Sequence, residues 1–490
     1  MAKTRTAFSF PLPPRQPGTP AYLWLCDVIR SGILAGHLTP GTRLPATRDL
    51  ANQYELSRGT VVAAFAQLRA EGYTATRTGS GTYVSATIPE HLLRSGRTRE
   101  TRHFPGRRRE ISRFARQIGD MAYYEAPSSR AFRANQPALD LFPTTLWAQV
   151  AGRRLRKASV FDLLSCEPMG YRPLREAVAT YLNTSRGVKC TAEQVAIVSG
   201  LQEAIFLAGS MLLNPGDRVC METPGYNGAV RVFNALAARL VPVRVDDQGM
   251  TVPKTRARNI RLVYVTPAHQ YPLGMTMTLA RRMELLKWTR TNDAMILEDD
   301  YDSEYRYSGR PMPALQGLDV QGVVLFAGSF SKVMFPSLRL GYLVVPPDLV
   351  EQVAAIKGLT SRHAPVLEQA ILADFITGGH FARHIRRMRQ IYAERRQALL
   401  AGSEQILGDL MEIPSVEGGL QTVGWLRPGV DAAEVARKAA LHNIEVIPLG
   451  AFYGGDTVRQ GLQLGFAAVE PREIRRGLTG LASIIRQSRG

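Results

Sequence analysis

The stretch AGSFSKVMFPSLRLGY, residues Ala327–Tyr342, contains a single lysine, Lys332, in a setting that predicts a specific chemistry. The apolar run 322–326 precedes it and predicts a buried strand, so that Lys332 follows closely on the end of that strand. A lysine in an apolar pocket loses the solvation that favours its ammonium form, so its pKa falls. The free amine of Lys332 can then form a Schiff base with an aldehyde.

Three further polar side chains of the same stretch suit a phosphate group. Ser329 and Ser331 lie beside the predicted strand end, and Arg339 follows seven residues after Lys332. Hydroxyl groups and a guanidinium are good donors to phosphate oxygens. The alternative is an ordinary basic residue on a loop, which is the commoner explanation of a lone lysine, so the rest of the chain has to decide.

The charge of the chain is strongly basic and unevenly distributed. Its 490 residues are 45% hydrophobic and 21% charged, as in a soluble globular protein of more than one domain. The formal charge is +19, and residues 1–116 carry +11 of it. A basic excess confined to one part of a chain favours a nucleic-acid partner, with an anionic membrane surface as the weaker alternative.

The cysteines and the apolar runs bear on the compartment. Cys26, Cys166, Cys190 and Cys220 show no CxxC spacing and no accompanying histidine cluster. Neither a zinc site nor a disulfide framework is therefore expected, and a reducing cytoplasm fits. No apolar run approaches the roughly 18 residues that cross a bilayer. The N-terminus lacks a charged region followed by an apolar segment, so we expect a cytoplasmic protein that is not inserted in a membrane.

The first 85 residues predict an arm followed by a DNA-binding domain. Residues 1–20 are rich in proline and predict an extended arm. Helical spacing of apolar residues predicts helices at 21–35 and 46–53, and Ser57 is expected to cap a third helix. Two short helices joined by a tight turn indicate a helix-turn-helix domain at 21–85.

The second helix of such a pair enters the major groove by its first residues, here Ser57, Arg58 and Thr60. Arg58 is the best candidate to read a base, because arginine can bind guanine through two hydrogen bonds. The hydroxyls of Ser57 and Thr60, and Arg48 on the preceding helix, suit phosphates or bases. We therefore predict a DNA contact made by these four residues.

A hairpin is expected directly after this helix. The sequence YTATRTGSGTYVS predicts two short strands, and the glycines of their turn, Gly79 and Gly81, are included in the predicted DNA contact. The structural alternative is a small helical bundle with an incidental hairpin. The basic charge, the order of the helices and the hairpin, which would serve as a wing beside the helices, all point to the same function. Their agreement favours DNA binding.

Residues 86–130 predict a basic linker with few signs of regular structure. Nine arginines lie between Arg94 and Arg116. Charge of one sign over a polar stretch favours a mobile connector. Two explanations stay open: additional nonspecific contact with phosphates, which would show as salt dependence, or a solvated linker that is basic without further purpose.

Residues 131–490 predict an α/β domain with a mainly parallel sheet, because apolar strands alternate with helical patterns. The clearest strands are 194–198, 261–265, 294–297 and 322–326. In open parallel sheets, ligands bind at the carboxyl ends of the strands. We therefore expect a ligand site where these strands end.

Candidate ligand-binding residues follow the predicted strands and their neighbours. They are Ser199, Gly200 and Leu201, whose backbone N–H groups lie at a helix start, Tyr226 on a Pro-Gly turn, His269 in a Pro-bounded loop, and Glu298, Asp299, Asp300 and Tyr301. A helix start attracts an anion, a tyrosine can stack on a flat ring or fill the core, and buried acids need a cation or a donor. With Lys332, these parts match the needs of pyridoxal phosphate.

Two sets of motifs resemble known families. The run LPATRDLANQYELSRGTVVAAFAQLRAEGYTATRTGSGTYV resembles the winged helix-turn-helix of GntR-type transcription regulators. The segments FRANQPALDLFP, MGYRPLREAVATYL, VSGLQ, PGY, EDDY, SFSK and LGF resemble the fold-type I aminotransferases. Joined in one chain, they resemble the MocR-type subfamily of GntR regulators. The resemblance implies a winged helix-turn-helix domain followed by a large aminotransferase-like domain that binds pyridoxal phosphate.

The resemblance also implies roles for individual residues. Lys332 would form the Schiff base with pyridoxal phosphate, Asp299 would pair with the pyridine nitrogen, Tyr301 would contact the ring oxygen and Tyr226 would stack on the ring. The remaining predicted cofactor contacts are His269 and Ser331, and, for the phosphate, Ser199, Gly200, Leu201, Ser329 and Arg339. The family pattern selects Asp299 over Asp300, and alternation along a strand would place Asp299 and Tyr301 on one face.

Three positions depart from the aminotransferase pattern. Gln463 stands where aminotransferases carry the arginine that clamps a substrate α-carboxylate, and glutamine cannot make that charged bidentate pair. Ser165 stands where many relatives carry a tyrosine that reaches a neighbouring subunit's cofactor phosphate, and Asn135 replaces an expected glycine. Arg459 is a weak candidate to replace the missing clamp. These departures favour cofactor binding without efficient turnover of amino acids.

The leading hypothesis is a homodimeric DNA-binding regulator that senses pyridoxal phosphate, or an amine or amino-acid effector, through Lys332. The alternative is an active aminotransferase with an appended DNA-binding domain, so enzyme activity stays open. A scaffold that has lost the cofactor is disfavoured, because Lys332, Asp299, Tyr301 and Arg339 are all present. No metal is expected.

Overall fold

The computed structural model divides the chain into two compact units, Met1–Arg109 and Glu110–Gly490. The residues that it describes are 13–16, 18–77, 80–86, 110–118, 130–164, 166–253, 259–308, 312–453 and 459–488.

The described part of the N-terminal unit contains three helices and a hairpin. They are α1 (Ala21–Leu34), α2 (Thr47–Gln53), α3 (Arg58–Ala70), β1 (Thr74–Arg77) and β2 (Gly81–Val84). One face of α1 packs on α3, because the apolar residues of both helices recur at helical spacing. The core of the unit includes Leu25, Cys26, Ile29, Val61, Ala64 and Leu68. This is the helix-turn-helix with a wing that the sequence predicted.

The start of α3 and the hairpin follow from local chemistry. The Ser57 side chain accepts the backbone N–H of Thr60 at 3.0 Å, which satisfies one of the donors that a helix start leaves open. The strands of the hairpin are antiparallel and pair Arg77 with Gly81 across the turn. Gly79 lies outside the described residues.

The second unit alternates helices and strands. Its helices are α4 (Arg113–Ile118), α5 (Thr144–Arg156), α6 (Val160–Leu164), α7 (Arg172–Ser185), α8 (Leu201–Leu212), α9 (Asn227–Ala235), α10 (Leu279–Thr291), α11 (Leu315–Leu318), α12 (Val350–Thr360), α13 (Val366–Thr377), α14 (His380–Leu407), α15 (Ala432–Leu441) and α16 (Pro471–Gln487). Its strands are β3 (Val195–Val198), β4 (Arg218–Thr223), β5 (Arg239–Asp246), β6 (Gly249–Met250), β7 (Ile260–Val265), β8 (Met295–Asp300), β9 (Val324–Ser329), β10 (Gly341–Val344), β11 (Met411–Glu412), β12 (Gln421–Leu426), β13 (Ile447–Pro448) and β14 (Gly461–Gly465). Short 3-10 turns lie at Leu139–Leu141, Ala192–Gln194, Pro336–Leu338, Pro347–Leu349 and Leu449–Phe452.

The larger sheet is mainly parallel, as predicted. Within the described residues its strand order is β3-β10-β9-β8-β7-β4-β5-β6. The run from β9 to β5 is parallel, whereas β10 is antiparallel to both of its neighbours and β6 is antiparallel to β5. The central strands are buried on both faces, which explains their continuous apolar runs.

Strand β8 is longer than the sequence predicted. We expected the strand to end at Leu297, with the acids directly after it, but the pairing of β8 with β9 continues through Asp300. The apolar pattern hid this extension because the acids have local partners. Glu298, for example, accepts the backbone N–H groups of Leu315 and Gln316 at 2.8 and 2.9 Å. Because side chains alternate along a strand, Asp299 lies on the opposite face from Glu298 and Asp300.

A second sheet, which the sequence did not predict, has the order β11-β12-β14-β13 within the described residues. Strands β12 and β14 are antiparallel and pair Gln421 with Gly465 and Val423 with Gln463. Side chains at 421, 423 and 463 therefore share one face, with Gln421 and Gln463 as diagonal neighbours. Val423 packs in a cluster with Tyr271 and Tyr301, so this face is turned towards the carboxyl end of β8.

The predicted linker contains a helix. Residues 113–118 form α4, which packs against α9, and the second unit accordingly begins at Glu110. The arginine-rich residues 87–109 and the segment 119–129 lie outside the described residues.

The expectations from the sequence also concerned membrane spans, metal ligands and the cysteines. Over the residues that the structure describes, no helix is both long and apolar enough to cross a membrane, and no histidine, cysteine and acid cluster could hold a metal ion. The four cysteines are free thiols.

Candidate cofactor site and DNA-binding surface

Lys332 lies in the turn after β9, in the position that the sequence predicted. The residue is half-buried, and its Nζ reaches inward and donates to the backbone oxygen of Asn135 at 2.8 Å. Burial lowers the pKa of Lys332 to about 8, although the carboxylates of Asp302 and Asp299 act in the opposite direction. Roughly a tenth of this side chain is therefore a free amine at pH 7, against less than about a thousandth for an ordinary lysine, and the free amine is the form that attacks an aldehyde.

Asp299 is buried on the face of β8 that is turned towards Lys332. The hydroxyl of Tyr264 donates to Oδ2, while Oδ1 has no hydrogen-bond partner within the described part of the chain. Burial raises the pKa of Asp299 to about 8, against the hydrogen bond from Tyr264, and nearby acids add to the rise. A buried acid with an open oxygen fits a protonated ring nitrogen, which would supply both the donor and the positive charge.

Asp300 occupies the other face of the strand and has a different partner. Its carboxylate accepts from Nε of Arg186 at 2.8 Å, and both side chains are buried. The choice of Asp299 for the cofactor nitrogen therefore fits the geometry, because Asp300 already neutralises a buried arginine.

Tyr301 and His269 meet at the end of β8. The Tyr301 hydroxyl lies 2.9 Å from Nδ1 of His269, and the carboxylate of Asp302 lies 3.1 Å from the same nitrogen. Burial, reinforced by nearby acids, raises the pKa of Tyr301 well above its usual value, so its phenol stays protonated and can donate. Asp302 was missed in the sequence because it lies in the turn after the strand, where alternation no longer predicts the direction of a side chain.

Tyr226 is the residue before α9 and is fixed by a neighbour. Its hydroxyl accepts from the side-chain amide of Gln202 at 2.9 Å, and its ring meets Tyr271 edge to face at 5.5 Å. Burial raises the pKa of Tyr226 to about 12. The ring is thus held in one orientation, and stacking of Tyr226 on a cofactor stays a prediction.

The predicted phosphate cup is formed where α8 begins. Gly200 has a φ of +101°, which glycine adopts at little cost, and a Cβ at this position would lie 3.4 Å from a terminal nitrogen of Arg339. Arg339 itself has φ 50° and ψ 40°, a left-handed conformation that is uncommon outside glycine. The exposed guanidinium has no partner within the described residues, so it is open to an anion beside the N-terminus of α8 and its first residue, Leu201.

Two backbone N–H groups of the cup already have acceptors within the chain. The backbone N–H of Ser199 donates to Glu203, and the backbone N–H of Ser331 donates to Oγ of Ser329 at 3.2 Å. Glu203 in turn pairs with the fully buried Lys357 at 3.0 Å. An acid in the first turn of a helix is a familiar stabilising feature, and this was the available indication of Glu203 in the sequence. The serine hydroxyls, rather than the Ser199 amide, are left to bind an anion.

Pyridoxal phosphate fits these residues. The open Oδ1 of Asp299 matches a ring N–H, the protonated Tyr301 can donate to the ring oxygen, and the Gly200 backbone leaves room beside Arg339 for a phosphate. Lys332 would hold the aldehyde carbon. These roles are assigned because each residue fits one group of pyridoxal phosphate, and substitutions can test them.

Replacing Asp299 with Asn is expected to stabilise the cofactor-free protein and to weaken its affinity for pyridoxal phosphate. An acid with a raised pKa binds its proton more tightly in the folded chain, so its contribution to stability falls as pH rises from about 4 to about 8. Asn cannot ionise and lacks this loss, so its gain in stability over the wild type should grow with pH and reach several kcal/mol at pH 8. Loss of the charged partner should weaken cofactor binding about tenfold or more. Urea unfolding at pH 5 and pH 8 and a fluorescence titration measure the two effects.

Asp300→Asn is the matched control for this prediction. It removes the partner of the buried Arg186 and should destabilise the protein, by roughly 3 kcal/mol. Destabilisation by both substitutions to the same extent would contradict the different environments of the two acids.

A group of amides lies beyond Lys332, where Asn135 has a φ of +62°. Asparagine tolerates this conformation better than most residues, which explains how it replaces the expected glycine. Its backbone N–H donates to Oε1 of Gln421 at 3.0 Å, and its side chain donates to the Tyr271 hydroxyl at 3.1 Å. That hydroxyl lies 3.5 Å from Oε1 of Gln463, which is fully buried.

Arg459 does not replace the missing arginine clamp. Its guanidinium pairs with Glu412 at 3.0 Å, lies over the ring of Trp425 at 4.5 Å and is 52% exposed. The suggestion that it could substitute is therefore wrong, because the side chain is held on the surface by an acid and an aromatic ring. Ser165 lies outside the described residues.

The predicted DNA-contacting residues of the N-terminal unit lie at and before the start of α3. Arg48, Ser57 and Arg58 are exposed and Thr60 is half-buried, and neither arginine has a partner within the described residues. Gly81 has a φ of +115°, and a Cβ there would lie 3.2 Å from Nε of Arg43. Arg43 was not singled out in the sequence, since only the fold brings it beside the wing.

The fold and the sites define a class of protein in which a winged helix-turn-helix precedes an aminotransferase-type domain with the parts of a pyridoxal phosphate site. Residues 22–84 match the family "Bacterial regulatory proteins, gntR family", and residues 134–481 match "Aminotransferase class I and II", a pyridoxal phosphate-dependent family. The chain belongs to the GntR family of regulators and, within it, to the MocR-type subfamily.

Relatives of the whole chain and of the second unit agree. The probable rhizopine catabolism regulatory protein MocR of Rhizobium meliloti is 38% identical, over 96% of this chain and 94% of its own length. The pyridoxine biosynthesis transcriptional regulator PdxR of Corynebacterium glutamicum is 31% identical, over 92% of this chain and 93% of its own length. The solved structure of LysN, an α-aminoadipate aminotransferase from Thermus thermophilus, has a TM-score of 0.70 and 27% identity, and the match covers 77% of this chain and 97% of that one.

Proposed function

We propose that this protein is a transcription regulator that binds DNA through its winged helix and senses pyridoxal phosphate, or an amine that competes for it, at Lys332. The observation that carries the proposal is the pairing of a reactive amine with an incomplete substrate site. Burial of the half-buried Lys332 lowers its pKa to about 8, while the buried Gln463 stands where a carboxylate clamp is needed for amino-acid turnover.

Pyridoxal phosphate, when bound, supplies an aldehyde carbon that bonds to one amine nitrogen at a time. Lys332 provides the chain's own nitrogen. Asp299 would keep the ring nitrogen protonated, Tyr301 would donate to the ring oxygen, and Arg339 with Ser329 and Ser331 would hold the phosphate. A primary amine from solution competes with Lys332, and Asn135 is placed to accept a hydrogen bond from the released lysine.

An effector changes DNA binding only if it favours one arrangement of the protein over another. We propose a homodimer, as in aminotransferase-fold regulators, because two winged helices in one assembly would read paired or repeated half-sites. The effector would then shift the balance between arrangements in which both wings reach their half-sites and arrangements in which they do not.

The relatives support effectors of two kinds. One is named for the catabolism of rhizopine and the other for pyridoxine biosynthesis. A regulator of rhizopine catabolism fits a small-molecule effector, and a regulator of pyridoxine biosynthesis fits pyridoxal phosphate itself as the signal. The test therefore includes both kinds of effector.

The test measures binding of the full-length protein to a labelled fragment of the DNA upstream of its own gene. We expect pyridoxal phosphate, alone or with a primary amine, to change the affinity about tenfold, in line with ordinary coupling energies of 1–3 kcal/mol. Lys332→Ala should bind the same DNA in the absence of effector and lose the response to amines. A response that survives in Lys332→Ala would refute sensing at this residue.

Active transamination is the competing function, supported by the complete set Lys332, Asp299, Tyr301 and Arg339. Steady-state assays with common amino acids decide between the two. Robust turnover without affinity for DNA would reverse the assignment.

A further inference from the structure

The amides beyond Lys332 leave two buried donors open. Nε2 of Gln463 and Nε2 of Gln421 are inaccessible to solvent and have no hydrogen-bond partner within the residues that the structure describes. A buried donor without an acceptor is costly, by about 1–3 kcal/mol, so these groups favour a ligand that supplies acceptors.

The orientation of Gln421 follows from its neighbour. The backbone N–H of Asn135 can only donate, so the oxygen of the Gln421 amide must face it and Nε2 must point elsewhere. Gln463 is the diagonal neighbour of Gln421 on the same face of the sheet, since Gln421 pairs with Gly465 and Val423 pairs with Gln463. The two open amides therefore lie on one face of the small sheet, the face that is turned towards Tyr271 and Tyr301.

A series of contacts connects this surface with Lys332. Nζ of Lys332 is 2.8 Å from the Asn135 oxygen, the Asn135 side chain is 3.1 Å from the Tyr271 hydroxyl, and that hydroxyl is 3.5 Å from Gln463. Three short contacts connect the reactive nitrogen with the amides. An amine bound at Lys332 that carries a polar group would extend along these contacts towards the amides.

The charges around the pocket disfavour a carboxylate as that polar group. Asp299 and Asp302 act on Lys332 in one direction and Arg339, which is assigned to the phosphate, acts in the other, while no arginine stands at position 463. Arg459, the candidate substitute, is held at the surface by Glu412. A ligand carboxylate beside Gln463 would bring a further negative charge to a buried place whose neighbouring side chains, Gln421, Asn135 and Tyr271, are uncharged, which is unfavourable. A hydroxyl carries no charge, accepts from both amides and can donate to the Tyr271 hydroxyl or the Gln463 oxygen.

We propose that the amine recognised at Lys332 is a hydroxylated primary amine without a carboxylate, whose hydroxyl is bound by Gln463 and Gln421. The inference rests on the proposed function, because it names the class of effector for the same site. When the amine displaces Lys332, the bond from the aldehyde carbon of the cofactor to Nζ would break and a bond from the same carbon to the incoming nitrogen would form. The incoming nitrogen gives up two protons and Nζ of Lys332 gains two, so no oxidant or further reactant is needed.

The test is an absorbance titration of the full-length protein loaded with pyridoxal phosphate. Matched pairs differ only in the group of interest: L-alaninol against L-alanine, and 3-aminopropan-1-ol against β-alanine, with propylamine as the amine that has neither group. We expect each amino alcohol to reach half-saturation at a concentration about tenfold or more below its matched acid and below propylamine.

Substitutions at position 463 make the test specific. Gln463→Arg should reverse the order within each pair, because arginine binds a carboxylate through two charged hydrogen bonds. Gln463→Leu should retain the cofactor band and lose the advantage of 3-aminopropan-1-ol over propylamine. Arg459→Ala is the control and should leave the order unchanged.

The outcomes separate this inference from the function on which it rests. A wild-type band that responds equally well or better to the acids overturns the inference and leaves amine sensing standing, as does an order that Gln463→Arg fails to change. A loaded protein whose band responds to none of the amines overturns amine sensing and this inference together.

Discussion

Replacing Lys332 with Ala is expected to abolish the absorption band near the visible edge that the wild-type protein shows after reconstitution with pyridoxal phosphate. The band requires a covalent bond between the cofactor and an amine of the protein, and Lys332 is the lysine that the turn after β9 places beside Asp299 and Asp302. The alanine side chain has no nitrogen that could form this bond, so the loss of the band should be complete. Absorbance after removal of unbound cofactor measures it.

The control for Lys332 is Lys287, an exposed lysine on α10. Lys287→Ala should keep the band, because Lys287 lies exposed on the surface of α10 and not in the turn after β9. A colourless wild-type protein, or a band that persists in Lys332→Ala, would contradict the assignment.

The same lysine gives this prediction a pH dependence. Because the pKa of Lys332 is lowered to about 8, its neutral fraction rises with pH up to about that value and then levels off. The rate of cofactor capture by the wild-type protein should follow this curve. A rate that keeps rising towards pH 10 would indicate an ordinary, solvated lysine.

Replacing Arg58 with Ala is expected to weaken specific DNA binding by about 10- to 100-fold, since a bidentate contact with a base contributes about 1–3 kcal/mol. Arg58 is the first residue of α3, exposed and without a partner within the described residues. The cap formed by Ser57 and Thr60 is left intact, so the helix should persist. Titrations with specific and scrambled DNA at two salt concentrations measure both affinity and specificity.

Arg69→Ala is the matched control, because Arg69 is exposed in the last turn of the same helix. Its effect should stay within about threefold, the consequence of one lost charge. Arg58→Lys adds a second comparison: it keeps the charge but lacks the guanidinium fork, so it should recover nonspecific affinity without specificity. Equal losses for Arg58→Ala and Arg69→Ala would show that Arg58 contributes charge alone.

The helices and the parallel strands could be predicted because their apolar residues repeat with the period of each element. The strand before Lys332 is an example, and it is found in the structure. The cap at Ser57, which was predicted from the residue type, is found as well. The family pattern selected Asp299 over Asp300, and alternation along a strand agreed with that choice. In the structure the two acids have different hydrogen-bond partners.

Other features could not be predicted, because they depend on contacts between distant segments. Asn135 and Gln421 are 286 residues apart in sequence, and no local pattern joins them. The small sheet that presents Gln421 and Gln463 contains two strands of only two residues each, which carry no periodicity. The partner of Arg459 was likewise invisible, so the sequence left a surface arginine as a candidate for a buried role.

The hydrogen bond from Lys332 to the backbone oxygen of Asn135 has a consequence for how such a sensor would reset. A lysine released by a competing amine finds an acceptor 2.8 Å away, so it is not left as a buried donor without a partner. The effector therefore does not have to leave an unpaired buried donor behind when it displaces Lys332. A receptor built in this way would track a falling effector concentration as readily as a rising one, without hydrolysis or resynthesis of the protein.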